Sequence, residues 1–415
     1  MHPHNSGKII PPSPFLRPHA ARAISSLALS LFAGSSILMG APTTLHAQES
    51  GETRSMAISG LLLTNYQYHV ENGTNPAEQE QIGAGSEQSR FMLERVYLTA
   101  TANISQQANV RLTFESKEGA AGQDLRLKYA YIDYKLPWLR EAGAFVRAGM
   151  LQNIMIAHEE IFWPRMVSSA PLARVSYYSA ADLGVAVGAK LPKGLGEVYA
   201  ELVDGRGYQG MNEPDDRFRD MAVRLTLTPL ASNERAGLFR NLTISPWIYL
   251  GDTASVFGPG SKRADEEGYL GPMRDGRQRD RMGLLVGVDD PRISAAVSLA
   301  RRTSEIEAGD NTAESPVSVA RRTGTLASAF MEFRPLAMVS ATGRSPLGIV
   351  LRYDRLDTDR SAPGYTSYVV GGVTYAISPG LSVSLDYQET MARAGQLPTR
   401  STQRQVYFVH LRADF

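Results

Sequence analysis

The stretch "QVYFVHLRADF", residues 405–415, decides how the rest of the chain is read. Tyr407, Val409, Leu411, Ala413 and Phe415 share one parity; Val406, Phe408, His410, Arg412 and Asp414 share the other. A period of two is the mark of a strand with unlike faces. In a water-soluble sheet the apolar face meets a core. In a membrane barrel it meets lipid, and the polar face lines a lumen. One strand fits either case, so the choice rests on how often the pattern recurs and on what joins the copies.

It recurs throughout the middle of the chain. "NVRLTFES" sets Val110, Leu112 and Phe114 against Arg111, Thr113 and Glu115. "MAVRLTLT" sets Val223, Leu225 and Leu227 against Arg224, Thr226 and Thr228. "LGIVLRYD" and "LSVSLDYQ" repeat the arrangement, with Arg352 and Asp354, then Ser384 and Asp386, on the polar side. "FMLERVYLTATANI" is less regular, because Glu94 falls among the apolar positions Met92, Val96, Leu98, Ala100 and Ala102.

The alternation predicts sixteen strands, near 56–68, 91–104, 107–117, 123–136, 142–151, 180–190, 196–204, 217–228, 240–250, 281–289, 291–302, 324–334, 346–354, 366–377, 381–390 and 402–415. Most approach the ~9–11 residues that a tilted strand needs to cross a bilayer. Connections after even strands are mostly short ("SQQ", "PKGLG", "DP", "SPG"), and those after odd strands mostly long (69–90, 152–179, 205–216, 251–280, 303–323). Connections 229–239 and 335–345 break the rule. Sorting by parity is expected of an all-β transmembrane antiparallel barrel with short periplasmic turns and long extracellular loops. Closure also removes the edges of so large a sheet.

The start of the chain speaks to compartment. Residues 1–22 hold Lys8, Arg17 and Arg22 and no acidic residue; "AISSLALSLFAGSSILMGA" follows, and "LHAQES" offers a small-residue cleavage site at Ala47. These are the parts of a secretory signal peptide, expected over residues 1–47, with the barrel over 48–415. Its removal takes 43 basic residues to 40 against 42 acidic ones, a balance that excludes a strong nucleic-acid binder. No cysteine is present, so the fold is stabilised by burial alone.

The terminal strand, with Tyr407, Val409, Leu411 and Phe415, resembles the C-terminal signal read by the bacterial outer-membrane assembly machinery. Longer phrases resemble the phosphate-selective porins of the O and P type: "RFMLERVYLTATANIS", "LKYAYIDYKL" with "AFVRAGMLQN", "SAADLGVAVGAKLPKGLGEVYAELVDGRGY" and "YVVGGVTYAISPGLSVSLDYQET", in order along residues ~56–415. The resemblance implies a Gram-negative outer-membrane location, a sixteen-strand trimeric porin and loops folded into the pore. It also implies phosphate selectivity tied to arginines and a lysine cluster. This chain has seven lysines and places both signs on its polar strand faces. The expected solutes are therefore small hydrophilic molecules or ions, with anions such as phosphate among them.

The lumen-facing set is expected to include Arg111, Glu115, Arg224, Arg352, Asp354, Asp386 and Arg412. The constriction is expected in 152–179, "QNIMIAHEEIFWPRMVSSAPLARVSYYS", a loop too apolar for open water. Its charges are His158, Glu159, Glu160, Arg165 and Arg174, expected within reach of Arg111 and Arg224. Opposed charges at a narrowing would set an ion preference; the plainer reading is a packed plug whose charges pair with the wall. "HEE" lacks a second histidine at the right spacing, since position 162 is Phe, so no metal or other cofactor is expected. Loop 251–280, with Lys262 and Arg263, reads as external and solvated. Tyr134, Trp138, Trp247, Tyr249 and Tyr387 are candidates for interfacial girdles, with core or lumen packing the alternative for each.

Expected partners are outer-membrane lipid and lipopolysaccharide, the barrel assembly machinery, two further copies in a homotrimer, and small solutes. A barrel enzyme is the weaker alternative, since His69, His158 and His410 have no evident catalytic partners. A structural or adhesive barrel with a filled lumen is the other.

Overall fold

A computed structural model describes residues 45–47, 54–72, 88–119, 122–208, 219–253, 277–308, 318–340, 345–392 and 403–415. The signal-peptide stretch to residue 44, Lys262 and Arg263, and most of the loops expected at 69–90, 251–280 and 303–323 lie outside the described residues.

Sixteen strands form one closed antiparallel barrel. They are β1 Arg54–Asn72, β2 Gln88–Asn103, β3 Ala108–Gly119, β4 Gly122–Lys135, β5 Phe145–Gln152, β6 Ala181–Lys190, β7 Gly196–Val203 and β8 Asp220–Leu227. Then follow β9 Leu242–Leu250, β10 Arg277–Asp290, β11 Ile293–Ala308, β12 Ser318–Phe333, β13 Leu347–Asp357, β14 Thr366–Ser378, β15 Leu381–Ala392 and β16 Gln403–Asp414. Each pairs with its neighbours in sequence, and β16 pairs with β1 from Gln403↔Asn72 to Asp414↔Leu61. Leu45–Ala47 adds a short pairing at the foot of β1.

All sixteen expected strands are present. Several run further than the alternation implied, because paired strands stay bonded after their outward residues turn polar. β11 and β12 remain in register from Ile293↔Phe333 to Ala308↔Ser318, although the outward side of their upper ends carries Arg301, Glu305 and Arg321. Connections at the Phe415 end are short or braced by single turns at Pro137–Leu139, Pro192–Gly194 and Pro335–Met338, each with proline at its start. Proline suits that position because its missing N–H would be unpaired anyway. Longer connections gather at the other end, save the two residues between β3 and β4.

The parity of the terminal strand is as its sequence implies. Tyr407, Val409, Leu411 and Phe415 face outward, whereas Val406 and His410 are buried inside. On the outer face Tyr387, Tyr407 and Tyr68 form a row across β15, β16 and β1, with ring centroids 5.1 and 6.5 Å apart. Leu112, Leu183, Val187, Leu284, Leu299 and Leu351 continue an apolar exterior around the barrel. Such a belt suits hydrocarbon, and a closed ladder leaves no backbone group unpaired within it. Phe415 closes the seam: its N–H donates to the Gly60 carbonyl at 3.0 Å, and the Gly60 N–H donates back to the Phe415 carbonyl at 2.6 Å. Its ring covers Gly60, where a β-carbon would lie 2.1 Å from it.

Three of the girdle candidates face outward, with Trp138 73 % exposed and Tyr134 and Tyr387 beside it in the outer layer. Trp247 and Tyr249 do not. Both are buried inside, edge-on to Tyr178 at 5.4 and 4.9 Å. Alternation gives each residue's parity, but aromatic character alone does not say which parity meets lipid.

Two register shifts re-aim side chains. Leu63 pairs with Arg95 and Thr64 with Leu93, so Glu94 is the extra residue of a bulge. Thr113 pairs with Tyr129 and Phe114 with Leu127, so Lys128 is the extra residue of another. A bulge adds one residue to one strand and turns it out of the ladder. Both extra residues point into the lumen, which accounts for Glu94 breaking the alternation.

Candidate functional site

The connection between β5 and β6, residues 153–180, folds into the barrel. Asn153 starts it by accepting the Met155 and Ile156 N–H groups at 2.9 and 3.1 Å, which sets up the helical turn α1, Ile156–Glu159. A second turn, α2, spans Pro171–Arg174. Ile154, Ile156, Phe162, Trp163, Met166, Leu172, Tyr177 and Tyr178 are all buried, Trp163 to 1 % exposure. Sheltering a side chain of this size from water is worth roughly 1.5–3 kcal/mol. The lumen provides that shelter because the wall opposite is cut back: a β-carbon on Gly287 of β10 would lie 2.7 Å from the Phe162 ring.

The loop is bonded to strands around the whole circumference. His158 Nε2 lies 2.8 Å from Ser245 Oγ on β9. Glu159 accepts Ser298 Oγ of β11 at 2.9 Å and the Leu172 N–H at 2.9 Å. Ser294 of β11 donates to the Ile161 carbonyl at 3.3 Å, and Gln388 of β15 to the Val167 carbonyl at 2.8 Å. Arg165 pairs with Glu94 of β2 at 3.1 Å. Arg174 pairs with Asp354 of β13 at 3.1 Å and lies 4.1 Å over the Tyr368 ring. Arg352 binds the Ser169 carbonyl and, through the same strand, Asp354. Arg224 of β8 binds the Ile154 carbonyl and Glu197.

The loop's charges were expected within reach of Arg111 and Arg224, but the ion pairs of Arg165 and Arg174 run to other strands. Arg224 meets the loop at a backbone carbonyl. Arg111 stays on its own wall, donating to Thr113 at 3.2 Å and lying 5.2 Å over the Tyr129 ring. The partners are instead Glu94, Asp354 and serine hydroxyls, which sit at lumen positions on strands far away in sequence. Of the five constriction candidates, His158, Glu159, Glu160 and Arg165 are buried. Burial pushes the Glu159 carboxyl up to about 7, with the Leu172 and Ser298 bonds opposing. Burial, with Arg224 nearby, keeps the His158 imidazole neutral by holding its pKa well below 6.5.

Among the lumen candidates, Arg111, Glu115, Arg224, Arg352, Asp354 and Asp386 are all buried inside. Arg412 is not deep: it chelates Asp414 at 2.8 and 2.9 Å on the rim, partly exposed. Glu115 is the centre of a cluster that composition did not single out. It takes Lys128 Nζ at 3.1 Å, Tyr208 OH at 2.6 Å, Tyr97 OH at 3.0 Å and the Arg95 guanidinium. Lys128 reaches it because of its bulge, whereas Arg95 points inward in step with Tyr97 and Thr99. The signal was present as broken parity at Glu94 and at Lys128, which shares its parity with the outward Ala130, Ile132 and Tyr134.

Between residues 167–174 of the loop and the β14–β16, β1 and β2 wall lies a cavity of about 260 Å³. Amides and hydroxyls line much of it: Asn65, Gln67, Gln388, Thr390 and Ser168. Its carboxylate, Glu94, is engaged by Arg165 and Asn65. Asp386 nearby accepts Ser384 and Gln388 at 3.0 and 2.8 Å, with His410 3.2 Å away. Arg404 is exposed and reaches His69 at 3.4 Å.

The chain has the fold of outer-membrane channels. The outer membrane channel DcaP of Acinetobacter baumannii is similar at a TM-score of 0.56 and 10 % identity, over 87 % of this chain and 97 % of that one. An anion-selective porin from Comamonas acidovorans is similar at 0.55 and 10 %, over 87 % and 100 %. OmpF of Salmonella typhi, in complex with daunomycin, is similar at 0.54 and 9 %, over 89 % and 100 %. No family model and no curated protein matches the sequence.

Proposed function

We propose that the protein is an outer-membrane porin that lets small hydrophilic solutes diffuse through a lumen narrowed by the 153–180 loop. One observation carries this reading: a loop buried inside a sixteen-strand barrel, bonded to β2, β8, β9, β11, β13 and β15, with a cavity lined in part by amides and hydroxyls left beside its 167–174 arm. Sixteen strands enclose more space than one such loop fills. The cavity's acids are engaged whereas Arg404 is exposed, which favours small anions, phosphate among them. The apolar belt suits outer-membrane lipid, and the Phe415 strand suits recognition by the barrel assembly machinery. Lipopolysaccharide around the outer rim and a homotrimer complete the reading; the chain acts as a channel, not an enzyme.

The density of loop-to-wall bonds favours a second reading, a braced barrel with no open path. Planar-bilayer recording separates the two. The channel reading expects stepwise ohmic conductance from the purified full chain, with anions more permeant than cations. Bilayers left silent by correctly folded barrel would leave the braced barrel standing.

A further inference from the structure

A second cavity, of about 160 Å³, lies where the loop returns to the wall, toward the end of the barrel away from Phe415. Glu201 on β7, Tyr249 on β9, Arg279 and Arg281 on β10, and Tyr177 and Tyr178 on the loop line it. None of these was singled out as part of the constriction.

Several of these groups are buried with bonding capacity unused. Arg281 is 8 % exposed; its guanidinium donates to the Arg279 carbonyl at 2.7 Å and lies 4.9 Å over the Tyr249 ring, but its Nε meets no acceptor. Glu201 is 4 % exposed, and its Oε2 meets no donor. The Tyr177 and Tyr178 hydroxyls are buried and unpartnered as well. Neighbouring charges are already matched: Arg279 pairs with Asp220 at 2.5 Å, and Asp182 accepts the Leu183 and Gly207 N–H groups at 2.9 and 3.1 Å. Glu201 and Arg281 form no ion pair with each other. Glu201 also accepts the Ile154 N–H, with Arg224 and Arg147 nearby. What each group lacks is a partner at one buried polar atom, the Arg281 Nε and the Glu201 Oε2, and such atoms are costly to leave unfilled. Burial raises the Tyr177 and Tyr178 hydroxyls above their usual range, so both remain neutral O–H groups able to donate and accept.

We propose that this cavity binds a small zwitterion: a carboxylate and an ammonium on one short skeleton, of the α-amino acid class. The carboxylate meets Arg281 and a tyrosine hydroxyl, and the ammonium donates to Glu201 Oε2. A neutral polyol would satisfy the hydroxyls but bring no opposite charge to the Arg281 Nε or the Glu201 Oε2. A simple anion or cation would compensate one and repel the other. The inference goes beyond solute diffusion and holds whether or not the barrel conducts, so bilayer recording and the experiment below fail independently.

The test is calorimetric titration of the folded full chain in detergent. The probes are L-serine, lactate, ethanolamine and erythritol, which share a short skeleton and differ in charge. L-serine is expected to bind saturably and about tenfold or more tighter than each of the other three. Arg281→Gln and Glu201→Gln are each expected to weaken L-serine about tenfold, and Glu201→Gln to bring lactate level with it. Tyr178→Phe, a smaller change, serves if either charge variant fails to fold, and is expected to weaken L-serine severalfold. Saturable binding of erythritol as tight as that of L-serine would overturn the zwitterion in favour of a polyol. Absence of saturable binding by the unaltered chain would mean a merely hydrated cavity.

Discussion

The two sides of the lumen treat the loop differently. On β9–β11 the part of the wall that faces α1 and Phe162 carries small residues: Ser245, Gly287, Ser294, Ala296 and Ser298 lie against His158, Phe162 and Glu159, while the bulky Trp247 and Tyr249 pack on Tyr178. On β14–β16, β1 and β2 it carries Tyr368, Gln388, Arg404, His410, Asn65, Gln67 and Glu94, which reach inward and bond mostly to one another. The first side receives the loop; the second holds it off and keeps the larger cavity. Side-chain volume, not backbone shape, therefore decides on which side of the lumen a path can run.

The strongest way to break this contrast is to remove the insert. Deleting residues 157–170 takes out the aromatic packing and the wall bonds together, and is expected to raise single-channel conductance severalfold. Unchanged conductance would put the loop outside the permeation path. Filling the small-residue side comes next. Gly287→Ile places branched carbon where Phe162 sits, and overpacking of this kind costs about 1–3 kcal/mol. The loop should be displaced, with higher and noisier conductance and a lower temperature for loss of heat-modifiable migration.

A subtler change acts on the cavity side alone. Arg404→Glu is expected to shift the reversal potential in a salt gradient toward cations with conductance little altered. An unchanged reversal potential would place the ion path away from β16.

The smallest effect is with pH. Burial raises Glu159 from 4.5 to about 7, so the seated loop holds this proton more tightly than a released loop would. Seating is favoured below pH 4.5 and weakens as pH rises from there to about 7, by on the order of 3 kcal/mol at most. Conductance should thus rise between pH 5 and pH 8, and Glu159→Gln should flatten the profile. A slope that survives the substitution would assign it to another group.

The barrel itself was legible because a strand with one face in lipid and one in a lumen must alternate, and sixteen segments did. The inward fold of 153–180 was legible from its apolar content. Its partners were not: Glu94, Asp354 and Ser298 are brought to Arg165, Arg174 and Glu159 by closure of the whole cylinder, which no local pattern encodes. Lys128 reaches Glu115 only through a bulge, and a single break in parity identifies a bulge once the register of its neighbour is known. For Trp247 and Tyr249 the choice between girdle and lumen packing stayed open, because lumen aromatics that pack on an inserted loop look, in sequence, like those that face lipid.

Considered mechanically, the loop is a set of ties across a thin-walled tube. Bonds from a single segment to β2 on one side, β8 and β9 on another, and β13 and β15 on a third fix the distances between those strands. The cross-section is then held by the element that narrows it, so stiffness and bore are set together, and neither can be altered by changing the loop without altering the other.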